Sequence, residues 1–216
     1  MELITVTPDN VLTIPNQGVH IPELLQAYYS IVIGGGKLPP VVFAHKSRVT
    51  NIFLASYKKD TTRELNPRLE AYQFESYRER ERLQSIDRLK VAKEFYRLMH
   101  DFPAQYLLFD GMHRSTALTL CNLPLNGYLI NCAADVEKIR RMTACGELPG
   151  EFKHTTSSVT RIAVKFAHKC LSIPYGIADA ATFNFESMSS RVERLIQEKE
   201  IPHYMIKRYL GKMKKG

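Results

Sequence analysis

The sequence contains no tryptophan, and its four cysteines stand far apart, at Cys121, Cys132, Cys145 and Cys170. None of them forms a Cys-x-x-Cys pair or follows the spacing of a zinc site, which argues against a structural zinc module. We expect the four cysteines to be buried free thiols. No apolar run approaches the roughly 20 residues that a membrane span needs. The first residues lack the basic start and long apolar core of a signal peptide, so we expect a cytoplasmic protein without a membrane span.

Charge is distributed unevenly along the chain. The 216 residues carry a net charge of +8, and 44% of them are hydrophobic and 24% charged, values typical of a globular protein. Residues 203–216 include five lysines and arginines and no acid, whereas the rest of the chain has 25 basic and 22 acidic residues. The main body therefore lacks the broad basic surface of a typical DNA-binding domain. The basic tail could contact nucleic acid or anionic lipid, or it could be a solvated terminus.

Local patterns predict a mixture of strands and helices. Short apolar and β-branched runs predict strands at 3–7, 11–14, 41–44, 106–109 and 128–132. Apolar residues at helical spacing predict helices at 22–31, 75–100, 113–121, 134–145, 156–171 and 188–212. Segment 49–57 could be strand or helix. Turns are predicted at 15–18 and 123–127, and a loop at 58–67.

The most informative segment is 106–118, which reads Tyr-Leu-Leu-Phe-Asp-Gly-Met-His-Arg-Ser-Thr-Ala-Leu. A short apolar strand ends in Asp110 and Gly111, and an amphipathic helix follows. The first N–H groups of a helix have no helical acceptor and carry partial positive charge, so they favour anions such as phosphate. Arg114 adds a planar fork of donors that suits phosphate oxygens. The residues predicted to hold phosphates are Gly111, Met112, His113, Arg114, Ser115 and Thr116.

Each of these residues also has a simpler structural interpretation. The histidine and arginine could cap or pack around the turn, and the two hydroxyl residues could be ordinary members of the first helical turn. Asp110 could hold a proton or a magnesium ion, or it could close an Asx turn before Gly111. The sequence alone leaves these alternatives open.

Two further segments carry groups that can bind phosphate. Gly34-Gly35-Gly36-Lys37 lacks the Gly-x-x-x-x-Gly-Lys-Ser/Thr pattern and follows a helix, so we interpret it as a helix stop. Lys46 lies just past the predicted strand 41–44. It could reach a phosphate or lie in a solvated loop, and both interpretations stay open.

The order of elements around the central motif resembles the ParB/sulfiredoxin superfamily. A helix with a Gly-rich end leads into a Pro-Pro-strand at 22–44, and a strand–Asp-Gly-x-His-Arg–helix–Gly–strand follows at 106–132. In that superfamily a compact α+β core uses the loop before a helix to hold nucleotide phosphates. The resemblance covers roughly residues 3–44 and 105–132.

This resemblance implies an α+β fold and a division of the chain. Residues 1–133 are expected to form a ParB/sulfiredoxin-like mixed-sheet core that carries a helical insertion at about 60–104. Residues 134–216 are expected to form a helical C-terminal extension. Neither the insertion nor the extension is covered by the resemblance.

Within the superfamily, the Asp-Gly-x-His-Arg motif is similar to that of small-molecule kinases such as the free serine kinases. It is also similar to ParB-like proteins of polysaccharide gene clusters. Sulfiredoxins have a catalytic cysteine before His-Arg, where this chain has Met112, and chromosome-segregation ParB proteins have Gly-Glu-Arg-Arg. The resemblance therefore implies a nucleotide-dependent phosphotransferase that acts on a small hydroxyl-bearing molecule. It implies ATP or ADP, with CTP as a further candidate, and Mg²⁺.

The resemblance also suggests roles for individual residues. The loop 110–116 would hold the nucleotide phosphates, with His113 in direct contact, and Asp110 or His20 would orient the acceptor hydroxyl. Mg²⁺ would bridge phosphates, and we predict no cluster of protein metal ligands. One alternative is a ParB-like nucleotide-binding or DNA-binding module without catalysis. Another is a nuclease, which would need several carboxylates where only Asp110 is near the motif.

Overall fold

A computed structural model of the chain describes residues 1–14, 19, 21–60, 88–150, 152, 162, 171–172, 182–183 and 185–213. The chain divides into two compact units. The first unit is Met1–His45, Ala104–Ser157 and Phe185–Gly216, and the second is Lys46–Pro103 and Ser158–Asn184. None of the described helices is long and apolar enough to cross a membrane.

The described residues form eight strands, seven α-helices and one short 3-10 helix, Pro8–Asn10. The strands are β1 Glu2–Val6, β2 Val11–Thr13, β3 Val41–His45, β4 Tyr106–Asp110, β5 Leu125–Leu129, β6 Leu171–Ser172, β7 Thr182–Phe183 and β8 Glu186–Ser187. The helices are α1 Pro22–Ile33, α2 Lys46–Asp60, α3 Arg88–Asp101, α4 Met112–Leu120, α5 Ala133–Ala144, α6 Met188–Gln197 and α7 His203–Met213. The chain is therefore a mixed α+β protein.

A six-stranded mixed sheet organises the first unit. Its strand order is β1-β5-β3-β4-β2-β8, with parallel pairs β5–β3 and β4–β2 and antiparallel pairs elsewhere. Strand β4 has a neighbour on both sides, and a register shift interrupts its pairing with β3 between Val42 and Phe43. The chain thus leaves β4 from the interior of the sheet and passes directly into α4.

Four helices of the first unit share a hydrophobic core with one face of this sheet. Alternate strand residues such as Val41 and Phe43 point to that face, because successive side chains of a strand point to opposite sides. Helix α4 contacts α1, α6 and α7. The helical members of the core include Leu25, Tyr29, Ala117, Leu120, Val192, Leu195, Met205 and Tyr209. The last two helices are therefore part of the core of the first unit.

The second unit contains α2 and α3, which contact each other, and a separate two-stranded sheet of β6 and β7. The undecided segment 49–57 is helical, since it lies within α2. Helix α3 covers the described part of the helix predicted at 75–100. Most of the helix predicted at 156–171 lies outside the described residues.

The last strand of the motif begins earlier than the sequence predicts. Instead of 128–132, β5 spans Leu125–Leu129, and the chain reverses at Asn122, which has a positive φ of 54°. Gly127 is not a turn residue, because it pairs within the sheet, beneath the ring of Phe43. A Cβ at this position would lie 2.9 Å from Val41 Cγ2. This glycine therefore allows a close approach between β3 and β5.

Two other expectations differ from the structure. The single helix predicted at 188–212 is two helices, α6 and α7, because Lys199 adopts a positive φ of 61° and Pro202 lacks an N–H donor. Cys121 is buried as expected, but Cys132 and Cys145 are exposed because they flank the two ends of α5. Cys170 lies outside the described residues.

Candidate functional site

A glycine in the left-handed region joins β4 to α4. Gly111 has a φ of 96°, and an added Cβ would lie 2.9 Å from the Cβ of Val41, so both the backbone and the space favour glycine. The first helical hydrogen bond runs from Ser115 N to Gly111 O at 2.9 Å. The amides that precede Ser115 therefore point out of the helix end, where they favour a negative charge.

The Asp110 carboxylate is held beside this helix end. Its Oδ1 accepts a hydrogen bond from Gly111 N at 2.7 Å, and its Oδ2 is buried. The backbone of Gly150 lies against the carboxylate, because a Cβ built there would be 2.9 Å from Asp110 Cγ. Both carboxylate oxygens are thus enclosed by the chain, and the bond to Gly111 N joins adjacent residues, so it is not the bond of an Asx turn.

The Arg114 side chain points into the protein. It is 2% exposed, and its Nη1 donates to the carbonyl oxygens of Pro39 at 3.3 Å and Pro40 at 2.5 Å. Burial lowers the pKa of the guanidinium, while the nearby Asp110 carboxylate acts in the opposite direction. Arg114 therefore connects the start of α4 to the segment that leads into β3.

His113 contacts the segment that precedes α1. Its Nε2 accepts a hydrogen bond from Ile21 N at 3.3 Å, so this nitrogen carries no proton in that arrangement. Two residues earlier, Val19 N donates to Glu200 Oε2 at 2.7 Å. Ile21 is thus held by α4, and Val19 is held by the turn before α7. The candidate His20 lies outside the described residues.

Glu200 holds Val19 in place, and sequence reasoning did not identify this role. It is separated from Val19 by 181 positions. It lies in the turn sequence Glu198-Lys199-Glu200, which contains no recognisable motif. Only the packing of α6 and α7 into the core brings it to the segment before α1. No local pattern in the sequence could have identified it.

The hydroxyl residues of α4 face the interior. Thr116 Oγ1 donates to Met112 O at 2.9 Å, and Thr116 is 1% exposed. Ser115 is fully buried, and its Oγ has no hydrogen-bond partner among the residues that the structure describes. Neither side chain is placed to donate to a ligand at the helix end. The Met112 side chain is half-buried and packs against the core.

Replacing Ser115 with alanine is expected to leave stability unchanged or to raise it by up to about 1 kcal/mol. A buried hydroxyl without a partner keeps its desolvation cost, and alanine removes that cost while leaving little empty volume. Urea denaturation of wild type and variant measures the difference. Thr119→Ala is the matched control, because Thr119 Oγ1 donates to Ser115 O at 2.8 Å and its loss should destabilise. A Ser115→Ala variant less stable than Thr119→Ala would contradict this interpretation.

Lys46 belongs to the second unit, whereas the other described candidates belong to the first. Its Nζ donates to the carbonyl oxygens of His100, at 3.4 Å, and Phe102. Burial lowers the pKa of its ammonium group, and the Asp101 carboxylate opposes that shift. These bonds tie the start of α2 to the end of α3. The glycines after α1 act as expected, because α1 ends at Ile33 and Gly36 N bonds to Ile31 O at 2.9 Å.

Comparisons with known proteins found no significant match to a family model, to a curated protein or to a solved structure. The similarity to the ParB/sulfiredoxin superfamily therefore stays a prediction from the motif and from the order of elements. The functional proposal depends instead on the geometry of the described residues.

Proposed function

We propose that the chain binds the phosphates of a nucleotide at the N-terminus of α4 and transfers a phosphoryl group to a small hydroxyl-bearing molecule. The observation that carries the proposal is the junction of β4 and α4. A left-handed glycine at the end of an internal strand turns a row of amides outward, beside an imidazole and a carboxylate. The proposal includes a ParB/sulfiredoxin-like arrangement of the mixed sheet, and ATP, ADP or CTP as the nucleotide.

In this proposal the phosphates interact mainly with backbone amides. The helix dipole and the outward N–H groups of the first turn attract negative charge, and His113 can add an N–H donor from its Nδ1 side. Arg114 acts as a positioning residue, because its buried guanidinium donates to the carbonyl oxygens of Pro39 and Pro40 and approaches Gly111. Phosphoryl transfer suits such a site, since the protein mostly positions groups and offsets charge.

Mg²⁺ would supply further neutralisation of phosphate charge. Within the part of the chain that the structure describes, no group of three or more His, Cys, Asp and Glu side chains is placed to hold a metal ion. Asp110 is the carboxylate at the helix end, with Oδ2 buried. In this proposal the ion would be held chiefly by phosphate oxygens and water, as is common for Mg²⁺.

The second candidate is a module that binds nucleotide without catalysis. The burial of Asp110 Oδ2 and the close approach of Gly150 favour it, because they restrict the access of an acceptor hydroxyl to this carboxylate. DNA binding belongs to the same candidate. It would show a strong dependence on salt, since phosphate contacts release counterions.

A charge placed on the first turn of α4 tests the phosphate site. His113→Asp should weaken the binding of MgATP, MgADP or MgCTP at least about tenfold, because an anion at this position repels phosphate while suiting the helix dipole. Isothermal titration calorimetry measures the change. Ala134→Asp is the matched control, since Ala134 is exposed and occupies the same position in the first turn of α5.

The proposal fails if the wild type binds none of the three nucleotides with a dissociation constant below about 1 mM. If His113→Asp and wild type bound nucleotide with equal affinity, the nucleotide would not bind at the N-terminus of α4.

A further inference from the structure

Helix α7 has one buried side and one exposed side. Residues such as Met205 and Tyr209 are buried in the core of the first unit, so one side holds the helix to the protein. The other side, the α7 face, is exposed at Tyr204, Lys207, Arg208 and Leu210. Residues three or four positions apart are neighbours on a helix, so Lys207 lies beside both Tyr204 and Leu210, and Arg208 lies one turn after Tyr204. The α7 face is therefore one continuous surface.

The charge of the α7 face is positive. Residues 203–216 include five lysines and arginines and no acid. Two of these cations, Lys207 and Arg208, are exposed on the described part of the helix. On helix α6, the Glu193 carboxylate accepts from the hydroxyl of the buried Tyr209 at 3.5 Å, so this acid is bound on the core side of α7. The α7 face therefore attracts an anionic partner.

The same face also carries apolar side chains. Tyr204 is 54% exposed and Leu210 is 43% exposed. Helix α1 extends this apolar surface, because Tyr204 packs edge-on against Tyr29 with ring centroids 6.3 Å apart, and Ile33, one turn after Tyr29, is exposed. Burial raises the pKa of the Tyr29 hydroxyl and the charge of Arg208 acts in the opposite direction, so Arg208 also lies near Tyr29. Cations and apolar groups thus lie together where α1 meets α7.

We propose that the α7 face docks on an anionic lipid surface, with Lys207 and Arg208 beside the lipid phosphates and with Tyr204 and Leu210 at the boundary with the acyl chains. Basic segments bind such surfaces through their charge, and aromatic and aliphatic side chains add apolar contact at the level of the headgroups. This docking does not depend on the proposed phosphotransferase function.

The aliphatic side chains favour lipid over nucleic acid as the partner. Nucleic acid would use the same two cations, and its bases could stack on the exposed ring of Tyr204. Leu210 and Ile33 offer no ring on which a base can stack, whereas both can contact acyl chains. A lipid surface therefore uses every exposed group of this surface.

Lys207→Ala combined with Arg208→Ala tests the electrostatic part in the full chain. Each lysine or arginine near an anionic membrane strengthens binding roughly fivefold, so the double variant should bind vesicles of phosphatidylcholine with about 30% phosphatidylserine at least about 20-fold more weakly than wild type. Vesicle flotation measures the bound fraction. Wild type should not bind vesicles of pure phosphatidylcholine, and its binding to the anionic vesicles should weaken as salt rises from about 0.05 to about 0.5 M.

Two further variants complete the test. Lys93→Ala combined with Arg97→Ala is the matched control, because it removes the same charge from two exposed residues of α3 and should bind the anionic vesicles as wild type does. Leu210→Ser should weaken vesicle binding at least about threefold, because it removes apolar contact and leaves the cations in place. Urea denaturation of each variant shows whether the fold is retained.

Several outcomes would overturn the proposal. Wild type could bind anionic vesicles no better than pure phosphatidylcholine vesicles, or the double variant of α7 could bind them within about threefold of wild type. Unchanged vesicle binding by Leu210→Ser would overturn the contact with the acyl boundary. If wild type binds a short duplex DNA but no anionic vesicle, and the double variant of α7 loses that binding, the α7 face is a nucleic-acid surface instead.

Discussion

Replacing Arg114 with alanine is expected to lower the free energy of unfolding by about 3 to 5 kcal/mol. The substitution leaves a cavity beside α4 and removes the donor to the carbonyl oxygens of Pro39 and Pro40. Charge-assisted hydrogen bonds of this kind contribute about 1.5 to 3 kcal/mol each. Arg114→Lys should cost less than alanine but more than about 1 kcal/mol, because lysine keeps the charge and loses the planar fork. Urea denaturation measures these differences in the free energy of unfolding. All variants should show the same dependence of that free energy on urea concentration.

Arg97→Ala provides the control for this prediction. Arg97 is an exposed arginine of α3 whose partners, Glu94 and Asp101, lie on the same helix. Surface pairs of this kind contribute about 0 to 1 kcal/mol, so this variant should be close to wild type. Similar losses for Arg97→Ala and Arg114→Ala would show that the buried guanidinium does not hold α4 to the segment before β3.

Gly111→Ala is expected to cost about 2 to 5 kcal/mol, because two penalties coincide at this position. An L-residue with a φ of 96° is strained, and the new Cβ would lie 2.5 Å from Val41 Cγ1 and 3.0 Å from an Arg114 guanidinium nitrogen. Either contact can be relieved only if Val41 or Arg114 moves. The variant should therefore lose stability and, under the proposed function, nucleotide binding as well; denaturation and calorimetry on the same sample measure both.

Gly146→Ala separates the two penalties. Gly146 also has a positive φ, of 78°, but an added Cβ would meet nothing within 4 Å. Its substitution should therefore show the backbone cost alone, about 1 to 2 kcal/mol. The difference between the two variants measures the contact with Val41 and Arg114. Equal losses would mean that these neighbours move aside without cost.

The local parts of the candidate site could be predicted from the sequence. An apolar run followed by Asp-Gly predicts a strand and a turn, and β4 and α4 occur within one residue of the predicted ranges. Gly111 has the conformation that such a turn requires. These features depend on residues that are near one another in the chain, so propensity and spacing are sufficient to identify them.

The orientation of the side chains could not be predicted in the same way. A guanidinium group is a typical phosphate ligand. The Arg114 side chain instead donates to the carbonyl oxygens of Pro40 and Pro39, which lie 74 and 75 positions earlier in the chain. Glycine is typical of turns, and the sequence predicts one at Gly127. The structure instead places Gly127 within β5, where glycine is required because the Phe43 ring lies against it. Glu200 reaches Val19 only through the packing of the last two helices. In each case tertiary contacts determine the position of the side chain, and these contacts produce no local pattern in a single sequence.

The strand order also determines when the first unit can fold during its synthesis. Strand β2 has β8 as its outer neighbour, and the core beneath α4 includes Tyr209. At translation rates of about 5 to 20 residues per second, a ribosome needs roughly 10 to 40 seconds to pass from β2 to that residue. Until then the edge of β2 and the apolar side of α4 are uncovered in the nascent chain. Completion of this unit must therefore wait until β8 and the last two described helices have been made.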